Sequence, residues 1–220
     1  MAPKSSKSGK AARRQAVRPR RDSGVPLLPV VVGGILGVLA IAMIGAIIYY
    51  NRPAPGPQTV SGIPCDHLEH SQVHYHAGLQ IIYHGVLTNV RDNTGIEFDS
   101  AGNIKCYYWL HVHPQDKNVI HIESPASDTF TLGQFFDVWN AWSTNNGYGP
   151  IKFDSKHVAT FTLGPEDRLI AYVDKGDGKG ATVYTGDPRA IVLQNHVVIS
   201  LVIAPPDMNP PPAFTFPSGL

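Results

Sequence analysis

Charge is scarce in this chain of 220 residues, at 16% Asp, Glu, Lys and Arg, and between Val25 and Tyr50 it is missing altogether. An uncharged run of that length is enough to cross a bilayer, because roughly 20 apolar residues span the hydrocarbon core. Basic side chains are also few beyond residue 22. Lys4, Lys7, Lys10, Arg13, Arg14, Arg18, Arg20 and Arg21 account for eight of the 18, leaving 10 against 16 acids in the rest. A surface with that balance argues against nucleic acid as a partner, since phosphate binding needs a basic face. No phosphate-cradling glycine loop and no G-x-S-x-G segment occur, so the chain offers neither a P-loop nor a serine elbow. Only two cysteines are present.

The basic cluster precedes the apolar run, and only Arg52 follows it closely. The positive-inside rule therefore predicts residues 1–24 as a cytoplasmic tail, 25–50 as a single transmembrane anchor and the remainder outside the cell membrane. A cleaved secretory signal is the rival, but its apolar stretch would be 7 to 15 residues and its charged region short. The pairs Arg13-Arg14 and Arg20-Arg21 suggest twin-arginine export without a convincing context. Residues 51–64, rich in Pro and Gly, read as a stiff spacer. Residues 205–220, also Pro-rich, read as a loose tail. The exported domain is then 65–204.

Within it the pattern is mainly of strand type. Val73, Tyr75, Ala77, Leu79 and Ile81 alternate with His74, His76, Gly78 and Gln80, the period of a half-buried strand. Residues 105–113 and 119–124 read as a hairpin around Pro114-Gln-Asp-Lys-Asn118, and further strands are expected at 157–163, 168–173, 181–185 and 197–203. Asp174-Lys-Gly-Asp177-Gly carries some oxygen ligands of a calcium loop but lacks its spacing, and fits a hairpin turn better. One helix is expected after Thr131-Leu-Gly-Gln134, a capping box followed by Phe135, Val138, Trp139 and Trp142 at helical spacing. That aromatic stripe reads as core. The fold class is α+β: an anchor helix followed by a small, mainly antiparallel β domain with one packed helix.

On the oxidising side of a membrane, Cys65 and Cys106 default to a disulfide. It closes a loop of about 40 residues, worth about 4 kcal/mol in the chain-entropy account. The alternative is Cys106 as a thiolate ligand, as in blue-copper sites. Strand parity opposes it, because Cys106, Tyr108, Leu110 and Val112 face one way and Tyr107, Trp109, His111 and His113 the other.

The chemistry sits in the histidines. Eight of ten fall between positions 67 and 121, and His74-Tyr-His76 and His111-Val-His113 have the spacing that places two imidazoles on one face of a strand. In the expected hairpin, His113 stands opposite Val119, His111 opposite His121 and Trp109 opposite Glu123. Imidazoles and a carboxylate gathered this way suit zinc, iron, manganese or copper. The candidate ligands are His74, His76, His111, His113 and His121, with the strand at 73–81 completing one site or forming a second. Glu123 and Asp116 are candidate proton carriers should the site be catalytic. Asp66 and Glu69 are either groups that orient an imidazole or ordinary loop acids. A solvated polar face is the plainer reading of any one H-x-H pair. His84, His157 and His196 lack partners at informative spacing, and His67 and His70 beside Cys65 are ambiguous.

At Val73-His-Tyr-His-Ala-Gly-Leu-Gln-Ile81, Cys106-Tyr-Tyr-Trp-Leu-His-Val-His113, Ile120-His-Ile-Glu-Ser-Pro125 and Phe130-Thr-Leu-Gly-Gln-Phe-Phe-Asp-Val-Trp139 the chain resembles a group of bacterial and archaeal proteins, often membrane-anchored. The likeness covers roughly residues 65 to 204 and implies one domain but no reaction. The H-x-H pairs are also similar to those of cupins, in which a Glu follows three or four residues later; here His113 is followed by Pro-Gln-Asp116. Three functions are open: metal capture, buffering or transfer at the cell surface; a metal-dependent enzyme on the same ligands; or a metal-free interaction module.

Overall fold

A computed structural model of the chain describes residue 24, residues 27–50 and residues 58–220. The expected basic tail up to residue 23 and the spacer at 51–57 lie outside the described residues. The chain divides at Pro55 into two units, taken separately below.

The described part of the first unit is helix α1 (Leu27–Tyr50), 24 residues long. At 1.5 Å per residue it measures about 36 Å, more than the hydrocarbon core. Its apolar side chains point outward all round, and the stretch Leu28–Tyr49 is long and apolar enough to cross a membrane.

The second unit contains β1 (Thr59–Val60), β2 (Ile63–Asp66), β3 (Val73–Tyr83), β4 (Val86–Thr88), β5 (Ile96–Phe98), β6 (Ile104–Tyr108), β7 (Leu110–His111) and β8 (Val119–Ser124). Helix α2 (Leu132–Asn145) follows, then β9 (Lys152–Asp154), β10 (His157–Ala159), β11 (Phe161–Thr162), β12 (Arg168–Asp174), β13 (Thr182–Tyr184) and β14 (Val198–Ala204). The α+β class is as expected. The largest sheet runs β13-β12-β14-β3-β8-β7, with β4 beside the far end of β3. All its pairs are antiparallel except β14 with β3. A four-stranded sheet, β1-β2-β6-β5, and a three-stranded one, β11-β10-β9, complete the domain.

Helix α2 begins as its capping box dictates. The Thr131 hydroxyl accepts from the Gln134 amide and Gln134 Oε1 accepts from the Thr131 amide at 2.9 Å, which satisfies two otherwise orphaned donors. Phe135, Phe136, Val138, Trp139 and Trp142 are buried, and Trp142 Nε1 donates to the Ile96 carbonyl, so the aromatic stripe is core. These side chains pack with Ala77, Leu79 and Ile81 of β3 and with Leu110, Ile120 and Ile122 of the hairpin. Burying a Leu, Ile or Phe in this way contributes about 1.5–3 kcal/mol each.

Five expectations change. The spacer is shorter than expected, because Thr59–Val60 and Ile63–Asp66 are strands and Ile63 is only 1% exposed. The strand expected over 105–113 breaks at Trp109, so that β6 joins the four-stranded sheet while β7 joins the large one. The segment 157–163 likewise divides at Ala159, whose φ is +54°. From His76 onward β3 is buried on both faces rather than one. Its second face is covered by the C-terminal segment, which is docked and not loose. Phe214 lies over Gly78, where an added Cβ would approach its ring to 2.9 Å, so only glycine fits. Phe216 meets His196, and Asp207 pairs with Arg168.

Candidate metal centre

Three neighbouring strands, β3, β8 and β7, carry the histidines. Register sets them in rows: His76 pairs with His121 and His121 with His111, while His74 pairs with Glu123. The expected register of the hairpin is thus the observed one at His111 and His121. Beyond His111 the ladder stops, and His113 enters the loop through the Asp116 amide, which bonds its carbonyl. At the other end the Glu123 amide donates to the Trp109 carbonyl at 2.9 Å, so the break after β6 does not disturb the pairing.

The rings converge. His74 and His76 bring their Nε2 atoms to 3.1 Å of each other, and His111 and His113 do the same at 3.1 Å. Two nitrogens bound to one tetrahedral zinc at its usual bond length lie about 3.3 Å apart. His121 stands between the pairs, edge-on to both His76 and His113 with centroids 4.6 Å away. Among the described residues, donor atoms of His111, His113, His121 and Glu123 lie within 4.8 Å of one another, as do those of His74, His76 and His121. Either group could hold a metal ion.

Burial and hydrogen bonds prepare some of these rings. His111 is fully buried, and its Nδ1 is 2.8 Å from the Tyr108 carbonyl. A carbonyl only accepts, so Nδ1 carries the hydrogen and the Nε2 lone pair of the neutral ring faces the site. His121 is 4% exposed, and neither of its ring nitrogens has a hydrogen-bond partner. Its nearest carboxylates, Glu123 Oε1 at 3.6 Å from Nδ1 and Asp116 Oδ2 at 3.3 Å from Nε2, lie within ion-pair reach but make no hydrogen bond. A neutral imidazole must carry one N–H, and leaving it buried and unpaired costs about 1–3 kcal/mol.

The electrostatics favour the metal-binding protonation states. Burial, followed by the neighbouring His121 and His74, pushes His76 down to about 4. Burial and then His111 and His121 lower His113 as well. Both rings are therefore neutral near pH 7, the form that donates to metals. Glu69 is lowered, first by its contact with His111 and against burial. Burial pushes Glu123 upward, but His121 and His111 outweigh it and the carboxyl ends up below its ordinary value. His76 and His113 thus stand as neutral imidazoles beside the ionised carboxylates of Glu69 and Glu123.

All five expected ligands, His74, His76, His111, His113 and His121, meet on this one face, and Glu123 lies among them. Asp116 sits at its edge. Cys65 and Cys106 form a disulfide with Cα atoms 5.3 Å apart, so Cys106 is not a ligand. Glu69 Oε1 lies 3.1 Å from His113 Nε2 and 3.6 Å from His111 Nε2, which makes it a member of the site rather than a loop acid. The disulfide was the available clue, because Cys65 pairs β2 with the strand leading to His111 and so delivers the following loop to the histidines. Asp66 accepts from Trp109 Nε1 at 2.8 Å and lies 2.7 Å from His70 Nε2, supporting the bend and not an imidazole of the site. His67 reaches the Lys105 carbonyl, His84 pairs with Asp167 and His157 with Asp154, all outside the cluster. Asp174 and Asp177 accept from the amides of Gly176 and Lys179, as a turn requires.

No family model matches the sequence, and no curated protein or solved structure matches it either.

Proposed function

We propose that the chain is a single-pass membrane protein whose domain, outside the cell, binds a transition metal through the histidine face and serves in its capture, buffering or transfer. The observation that carries this reading is His121. It is buried at the centre of four other imidazoles with neither ring nitrogen hydrogen-bonded to protein, so its lone pair is left for a metal ion to take. Five nitrogens with a carboxylate suit zinc, copper, iron or manganese and do not suit calcium. The disulfide and the basic residues ahead of α1 support the outward orientation.

The test uses the full-length chain in detergent, stripped with chelator, incubated in turn with zinc, copper, iron(II) and manganese, desalted and analysed for elements. The expected result is retention of at least one equivalent of one of these metals. A folded chain that retains none would end the reading. Protease added to intact cells is expected to remove the domain; full protection would reverse the orientation.

One observation favours a catalytic use of the same site. Asp116 lies 3.3 Å from His121, and Glu69 lies beside His113 with a side chain 39% exposed, so carboxylates able to hold a proton line the open edge. A bound ion there would polarise a water or substrate oxygen. Retained metal together with hydrolysis of model esters that Asp116→Asn abolishes would establish it.

A further inference from the structure

The donor atoms do not form one set. They divide into two, His111, His113, His121 and Glu123 on one side and His74, His76 and His121 on the other, each within 4.8 Å. Ligand atoms on a single first-row ion at about 2.0–2.2 Å can stand at most about 4.4 Å apart, across the metal. One ion therefore cannot gather all five imidazoles without moving strands that the sheet holds in register.

The geometry points to a binuclear centre: one ion at His111, His113 and Glu123, a second at His74 and His76, with His121 of β8 bridging them as an imidazolate whose N–H proton leaves to solvent by way of Asp116. This rests on the metal-binding reading above and goes beyond it. Three distances place β8 in the middle. Glu123 Oε1 is 3.3 Å from His74 Nε2, 4.0 Å from His111 Nε2 and 3.6 Å from His121 Nδ1, so one carboxylate oxygen faces both pairs. His121 is edge-on to one ring of each pair, and neither of its nitrogens is committed to the protein. Charge agrees, because Glu69, Asp116 and Glu123 together bring three carboxylates to the cluster, more than one divalent ion neutralises.

The two positions differ. The first offers four protein donors, the complement of a closed tetrahedral site, and its His111 is wholly buried. The second offers three, and the His74 side chain is 46% exposed, which leaves room for water or an incoming ligand. The first ion is the tightly held one and the second the exchangeable one.

Metal content and copper(II) EPR of the full-length chain test this together. The expected result is two ions per chain, with a half-field signal or loss of intensity from coupled copper(II). The double variant H74Q/H76Q is expected to hold one ion with an ordinary isolated copper signal, and H111Q/H113Q likewise one, held more weakly. Thermal melts of both variants check that they fold, and the count on the unaltered chain stands even where a variant does not. One ion per chain in the unaltered protein would overturn the binuclear centre while leaving metal binding intact. Two ions with uncoupled signals would overturn the His121 bridge. No ion at all would fell both readings.

Discussion

The two H-x-H pairs share a motif and the same 3.1 Å approach of their Nε2 atoms, yet they are held differently. His111 is buried with its Nδ1 tied to the Tyr108 carbonyl, and its strand continues from Cys106, which the disulfide fixes to β2. His74 lies near the start of β3 with nearly half of its side chain in solvent. Spacing alone brings two nitrogens together; burial and an outer hydrogen bond decide whether they stay there before an ion arrives. The His111 pair is pre-organised and the His74 pair is adjustable.

The largest way to strain that contrast is to remove the disulfide. Replacing Cys65 and Cys106 by Ser is expected to cost about 4 kcal/mol of folding stability in the chain-entropy account, read by denaturant unfolding in detergent. If the bond also holds the His111 arm, that arm's metal affinity falls while the His74 arm changes little. Equal weakening of both would show that the disulfide stabilises the domain without favouring either. Next comes ligand removal. His111→Ala is expected to lower zinc affinity by more than about 100-fold, beyond what loss of an outer partner costs, and His74→Ala by about 10-fold, both read by chelator competition. Equal losses would erase the distinction.

Acid should act more gently and through the other arm. His76 titrates at about 4 in the folded domain against 6.5 for an unperturbed imidazole. Between those values the unfolded chain holds more protons than the folded one, so stability rises with pH across that window. The metal-free protein is therefore expected to be fully stable above pH of about 6.5 and to weaken toward 4, with His113 adding in the same direction. Unfolding of chelator-treated protein at a series of pH values checks this, and His76→Gln should flatten the slope. The smallest effect is expected from Glu69→Gln. It leaves the imidazoles in place but removes a charge beside His113, for a loss of metal affinity of about 10-fold or less.

Local features were legible in the chain. The connection between the hairpin arms centres on Asp116, so the meeting of His111 with His121 follows from counting. Thr131 and Gln134 announce the start of α2, and the two cysteines have only each other for a disulfide. What was hidden is long-range. Nothing periodic tells β3 that its parallel neighbour is β14, with Gln80 and Ser200 separated by 120 positions and joined by a buried hydrogen bond. The strand break at Trp109 was equally invisible, because both halves alternate in the same phase and only the partner sheet differs. Glu69 had only an indirect clue, the disulfide that brings its loop toward the histidines, because loop acids carry no pattern of their own. The coverage of β3 by Phe214 needed the fold, although Gly78 in mid-strand hinted at a close approach.

That parallel pairing of β3 with β14 also fixes when the histidine face can exist. The strand bearing His74 and His76 emerges from the ribosome long before the strand that supports its other edge. Until β14 arrives, β3 lacks its partner at Gly78–Tyr83 and the His76 carbonyl lacks the His196 amide, so the strand beneath the imidazoles is incompletely held. Synthesis and assembly of the centre are separated in time by most of the domain. On the metal-binding reading proposed above, uptake of an ion would follow the docking of β14 and not precede it.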